Sequence, residues 1–121
     1  MYLQLTLTPI RRLELAREYL PLDREGRQGL YASWLTQYGD DTAYDLFLTA
    51  NVLIGWPEDP AAFRAQWSAP TVRDLELREA VARLTDDQLQ RAGEALRDAQ
   101  LNHPSEVGHV LRLVKSWAGV G

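Results

Sequence analysis

Asp40, Asp41 and Asp45 all fall within the stretch YGDDTAYDLF, and carboxylates that dense could hold a divalent cation through oxygen. Asp41 and Asp45 are four apart, so on a helix both would project to the same side. A second reading needs no metal. Acids at a helix N-terminus meet unpaired N–H groups and the positive end of the macrodipole, which favours each by about 0.3 to 1 kcal/mol. Asp41 and Asp45 also lie off the apolar stripe of Leu46, Phe47, Ala50 and Ile54, and are therefore expected to face solvent. The stretch is expected to start a helix, with no metal and no cofactor.

The other groups that could do chemistry lose to simpler readings in the same way. The Asp41/Asp45 spacing is faintly similar to the aspartate-rich motifs of isoprenoid-type enzymes, but those need a second acidic cluster and a longer chain. Glu76 and Glu79 in ELRE, with Glu94 and Asp98 further on, invite comparison with small helical nucleotide pyrophosphohydrolases, which hold magnesium through ExxE and ExxD pairs. Here Glu94 and Asp98 are four apart rather than three, and Glu79 has Arg83 one turn later, so the group reads as surface charge. His103 and His109 are six apart across Pro104 and cannot share a helical face as metal ligands. Ser33, Ser68, Ser105 and Ser116 have no base and orienting acid nearby, and no glycine-rich phosphate loop occurs. The absence of cysteine excludes thiolate nucleophiles and thiolate metal sites. An enzyme is not expected, which leaves a magnesium-dependent hydrolase as a distant third reading.

Residues suited to binding are easier to name. Trp56 stands between Gly55 and Pro57 on a stiff connection, either folded over the core or presented to a partner, and tryptophan is a frequent hot-spot residue. Glu58 follows two positions on. The last helix carries a polar side of His109, Arg112, Lys115 and Ser116 opposite its apolar stripe, and with the helix before it makes a helix-turn-helix outline. The expected partner-binding set is Trp56, Glu58, His109, Arg112 and Lys115.

These residues need elements to position them, and the pattern is helical almost throughout. YLQLTLT alternates leucine with polar residues like a half-buried strand, but nothing later repeats that pattern, so residues 2–8 are read as an extended arm or as a strand that pairs with a second copy. Thr8 and Pro9 open a helix with Ile10, Leu13, Ala16 and Leu20 on one face up to Pro21. A second helix over about 24–38 carries Leu30, Tyr31, Trp34, Leu35 and Tyr38 and stops at Gly39. A third runs from Thr42 to Ile54 and stops at Gly55. Asp59 and Pro60 restart a short helix through Phe63 and Trp67, and Thr71 opens another with Leu77, Val81 and Leu84 inside. On that helix Asp74/Arg78 and Glu79/Arg83 are spaced as solvated pairs. TDDQ at 85–88 is a capping box ahead of Leu89, Ala92, Leu96 and Ala99. The last helix places Val107, Val110, Leu111, Val114 and Trp117 inward. The expectation is an all-α, compact single-domain bundle over residues 1–121, of about six or seven helices with a short extended N-terminal segment.

Composition bounds the function. The chain has 121 residues, 45% of them hydrophobic and 25% charged, in the range of globular domains that bury a core unaided. No apolar run reaches the roughly 18 to 20 residues of a spanning helix. The first residues lack the basic leader and apolar core of a secretory signal, so a cytoplasmic protein is expected, with no membrane association. A net charge of −4 disfavours a broad phosphate-binding surface. The expected function is non-enzymatic binding of another protein, as an inhibitor, an immunity or antitoxin-like factor, or an assembly chaperone of a bacterial or phage system. A homodimer through the N-terminal segment is a further possibility, and the rival reading is a DNA-binding regulator using the two C-terminal helices.

Overall fold

The computed structural model describes residues 7–55 and 59–120, and every regular element among them is helical. The chain divides into two compact units, Met1–Trp56 and Pro57–Gly121. Most of the expected extended arm lies outside the described residues.

The first unit holds three helices, α1 (Pro9–Arg17), α2 (Arg24–Tyr38) and α3 (Asp40–Gly55), with α3 packed against both others. Thr8 caps α1, its Oγ1 accepting from the Arg11 N–H at 3.2 Å, and Pro9 takes the first helical position, where an N–H has no partner to lose. The apolar stripe predicts a helix up to Leu20, but α1 ends at Arg17. Beyond it the N–H groups of Glu18, Tyr19 and Leu20 bond to carbonyls three residues back, a tighter turn that leads into Pro21. Asp23 then caps α2 through the Gly26 N–H at 2.8 Å.

A single residue joins α2 to α3. Gly39 has φ +89° and ψ 172°, a conformation in which a Cβ is strained, and there its N–H closes α2 on the Leu35 carbonyl while its own carbonyl accepts from Ala43 to open α3. The connection is so short that α3 begins at Asp40, two residues sooner than the stripe predicts. The core formed there comprises Leu15, Trp34, Ala43 and Leu46, with Leu7, Tyr19, Leu30, Tyr31, Leu35 and Tyr38 packed around it. Ile54, expected inside, is exposed at the end of α3.

The second unit contains α4 (Pro60–Trp67), α5 (Leu75–Arg83), α6 (Asp86–Asn102) and α7 (Val107–Trp117), with a 3₁₀ turn at Pro104–Glu106. α6 packs on α4 and α7, and α5 packs on the same two helices. The caps are side-chain caps of the expected kind: Asp59 accepts from Ala62, and Thr85 and Gln88 complete the capping box in both directions at 3.2 and 3.0 Å. α5 departs from expectation, because Thr71 lies in a turn and Asp74 is the cap, accepting from Leu77 at 3.1 Å. Phe63, Trp67, Leu77, Val81, Leu84, Leu89, Val110 and Val114 are buried. Val107, Leu111 and Trp117 are only half-buried. No helix among the described residues is long and apolar enough to cross a membrane.

Gly93 lets α4 and α6 approach closely. A Cβ built there would lie 2.3 Å from the buried Phe63 ring, far inside contact distance. Gly93→Ala gains about 1 kcal/mol of helix propensity but forces the ring and its neighbours apart, and overpacking of this kind costs about 1–3 kcal/mol. The variant should melt at a lower temperature than the parent; thermal unfolding that shows it equal or more stable would mean the ring yields without cost.

Candidate binding site

A concavity lies within the first unit. A cleft of about 710 Å³ opens between the turn after α1, the start of α2 and the first half of α3, lined by Tyr19, Leu22, Asp23, Arg24, Arg27, Gln28, Tyr31, Tyr44 and Phe47. Phe47 is its floor. Tyr19 and Tyr31 meet Phe47 edge to face at centroid distances of 6.1 and 6.0 Å, while Tyr44 stacks beside it at 6.3 Å. Behind them, Trp34 is buried and stacks on Tyr19 at 6.0 Å, which fixes the wall from the core side.

Arg27 fixes the other wall. Its Nε and Nη2 donate to the Tyr19 and Leu20 carbonyls at 3.1 Å each, in the turn where α1 ends early; the Tyr19 carbonyl also accepts from the Leu22 N–H at 3.3 Å. Its guanidinium carbon sits 4.7 Å from the centre of the Tyr19 ring. Tyr44 is the exposed member of the set, with 56% of its surface accessible on a residue type that normally buries its ring. None of the hydroxyls of Tyr19, Tyr31 and Tyr44 makes a hydrogen bond within the described structure. This cleft combines rigid aromatic surface, unused donors and a cationic edge.

Sequence reasoning did not assemble it. In the sequence Tyr31 and Phe47 belong to the apolar stripes of their helices, Tyr19 falls on another side of the first, and Tyr44 belongs to no stripe. A usable signal was present in Tyr19 and Tyr44, aromatic residues placed off the stripes of their own helices.

The acids of YGDDTAYDLF do start a helix, with Asp40 and Asp41 exposed in the first turn of α3. Asp45 corrects the expectation that it faces solvent. Its carboxylate lies 3.3 Å from Nε of Arg12, a side chain 2% exposed, and so joins α3 to α1 inside the unit. Among the described residues no group of three or more His, Asp or Glu side chains converges as metal ligands would. Glu94 and Asp98 are likewise not surface charge: both are buried, accepting from Gln90 and Asn102 one turn away at 2.7 and 2.8 Å. The Glu79/Arg83 pair does form, on the exposed side of α5.

Of the expected partner-binding residues, Trp56 and Glu58 lie outside the described residues. His109 and Arg112 are exposed on α7. Lys115 is engaged, its Nζ 2.8 Å from Asp74 and 3.7 Å from Glu76, so Asp74 bonds across the unit to α7 rather than along its own helix to Arg78. The Lys115 hydrogen bond, with the Leu77 N–H, holds the Asp74 carboxyl below its ordinary 3.8, and the same bond raises the Lys115 ammonium above its ordinary 10.5.

Two expectations follow for stability. Asp45→Asn removes the carboxylate charge beside the buried Arg12 guanidinium and should destabilise by roughly 1–3 kcal/mol, less than breaking a fully buried pair because Asp45 keeps some solvent; Asp41→Asn should cost no more than about 1 kcal/mol. Denaturant titration of both variants checks this, and equal stabilities would make the Arg12 contact incidental. The Asp74–Lys115 pair gives a pH signature. With Asp74 depressed, its contribution is in force above 3.8 and is lost as pH falls through the lower folded value. With Lys115 raised, the complementary loss comes only as pH rises beyond 10.5. Asp74→Asn keeps a competent cap but removes the charge, so melting temperature should fall less steeply below pH 4 in the variant than in the parent. Parallel acid limbs would show that the pair contributes nothing.

No family model, curated protein or solved structure matches this chain, so what the cleft does has to come from its own residues.

Proposed function

We propose that the chain is a non-enzymatic protein-binding module that holds its partner in the aromatic cleft of the first unit. The observation that carries this reading is the composition and exposure of the cleft: Tyr19, Tyr31 and Tyr44 with Arg24 and Arg27 at the edge of an open depression. Tyrosine and arginine, with tryptophan, are the residues that most often dominate binding energy, because they bury a large rigid area and offer a directed polar group. The rings are set by Phe47, Trp34 and Arg27 before any partner arrives, so little side-chain entropy remains to be lost on binding. The roles this reading fits are those of an inhibitor, an immunity or antitoxin-like factor, or an assembly chaperone of a bacterial or phage system.

DNA binding through α6 and α7 is the rival, and it has less to work with. Of the two cations on α7, Lys115 is committed to Asp74 and Glu76, which leaves Arg112 as the exposed one on a chain of net charge −4.

Affinity capture from the native host, with the parent, Tyr44→Ala and Arg112→Glu as baits, tests the choice. Tyr44→Ala should keep the helical spectrum, since the ring is mostly exposed, while weakening capture of the same partner by about 2 kcal/mol, the usual threshold of a hot spot. Arg112→Glu should not change it. Capture that survives Tyr44→Ala unaltered would end the proposal, and salt-sensitive retention of DNA lost with Arg112→Glu would replace it.

A further inference from the structure

The cleft also carries information about the chemistry of what it holds. Three of its features concern the ligand rather than the fold: ring faces presented side by side, tyrosine hydroxyls with no partner of their own, and the sign of the charge at its edge. Asp23 is the one carboxylate in the lining, and its Oδ1 is already taken by the Gly26 N–H. Arg24 is exposed, and Arg27 keeps its Nη1 side open after satisfying the end of α1 with Nε and Nη2. The edge is therefore cationic on a chain that is acidic as a whole.

Resting on the reading of the cleft as a protein-binding site, we infer that its occupant is an extended, proline-containing segment of the partner with an acidic residue next to the proline. Proline rings are compact, rigid and apolar, and they pack on exposed tyrosine with little entropy to lose. A polyproline II segment makes no internal hydrogen bonds, so its carbonyls are free to accept from Tyr19, Tyr31 and Tyr44. A helix would have its carbonyls already satisfied, and a β-strand would need a sheet edge that the helical first unit does not offer. The acidic neighbour pairs with Arg24 and Arg27, whose planar donors suit a carboxylate.

The test uses fluorescein-labelled peptides of about nine residues repeating Glu-Pro-Pro, Lys-Pro-Pro or Glu-Gly-Gly, titrated with the whole chain by fluorescence anisotropy and mapped by amide chemical shifts. The Glu-Pro-Pro peptide should saturate and shift amides around Tyr19, Tyr31 and Tyr44, and the other two should bind at least about tenfold more weakly. Tyr44→Ala and Arg24→Glu should each weaken the Glu-Pro-Pro peptide by about tenfold while keeping the helical spectrum. Equal binding of Glu-Gly-Gly would show that charge alone is read, equal binding of Lys-Pro-Pro that the arginines read nothing, and shifts confined to other residues that the site is elsewhere; each overturns the inference. If no peptide binds while Tyr44→Ala still abolishes capture of the host partner, the ligand class is wrong and the cleft stands. If capture survives that substitution, both fall together.

Discussion

Phe47 is the contact on which the first unit's surface depends. Its ring lies on the half-buried side of α3, and Tyr19, Tyr31 and Tyr44 come to it from the turn after α1, from α2 and from one turn earlier on α3. Rings meeting edge to face at about 6 Å are in the range where aromatic pairs gain beyond area burial, roughly 0.5–1.5 kcal/mol each. The geometry asks that α2 and α3 run close from their first residues, which Gly39 secures by closing one helix and opening the other. It also asks that α1 end early enough for Tyr19 to leave the helix, which Pro21 and Arg27 secure together.

Arg27 shows how one side chain can serve fold and site at once. The guanidinium takes the Leu20 carbonyl, shares the Tyr19 carbonyl with the Leu22 N–H, and is also laid over the Tyr19 ring. A lysine could not replace it, because the two carbonyls are met by two donors of one rigid plane. Arg12 and Asp45 do the corresponding work between α1 and α3, where a buried guanidinium needs an anion nearby. Charge in this unit thus serves assembly at Arg12, Asp45 and Arg27, while Arg24 and the open side of Arg27 face the cleft.

What was legible in the sequence was mainly what is local. Thr8 with Pro9, Asp59 with Pro60, and Thr85 with Gln88 each declare a helix start within four residues, because the capping bond closes over that distance, and the structure has all three. The all-α class follows from periodicities of the same short range. The illegible parts depend on partners far along the chain. Asp74 looked like the partner of Arg78 because helical spacing allows it, yet the hydrogen bond goes to Lys115, 41 residues on. Asp45 looked solvated because it is off the stripe, which says nothing of an arginine arriving from α1. Periodicity identifies which face of a helix is apolar. It cannot say where two such faces diverge and leave their rims uncovered.

That divergence is where binding surface comes from in a chain of this kind. Of the rings at the cleft, Tyr19 and Tyr31 are half-buried by the packing that places them, and Tyr44 continues the same aromatic surface to where no neighbour covers it. A ring wholly in the core would be inert, and one wholly in water would lose entropy when a ligand ordered it. Tyr44, held at one face by Phe47 and open at the other, avoids both costs. The same reasoning explains why α7 makes a weaker claim. Its exposed His109 and Arg112 are polar groups already well served by water, and its lysine is spent holding α5 in place. Desolvating an exposed arginine gains little unless a charge or an aromatic face awaits it. In the cleft the ring faces are held in place by their neighbours, and a ligand that covers them loses little side-chain entropy in doing so.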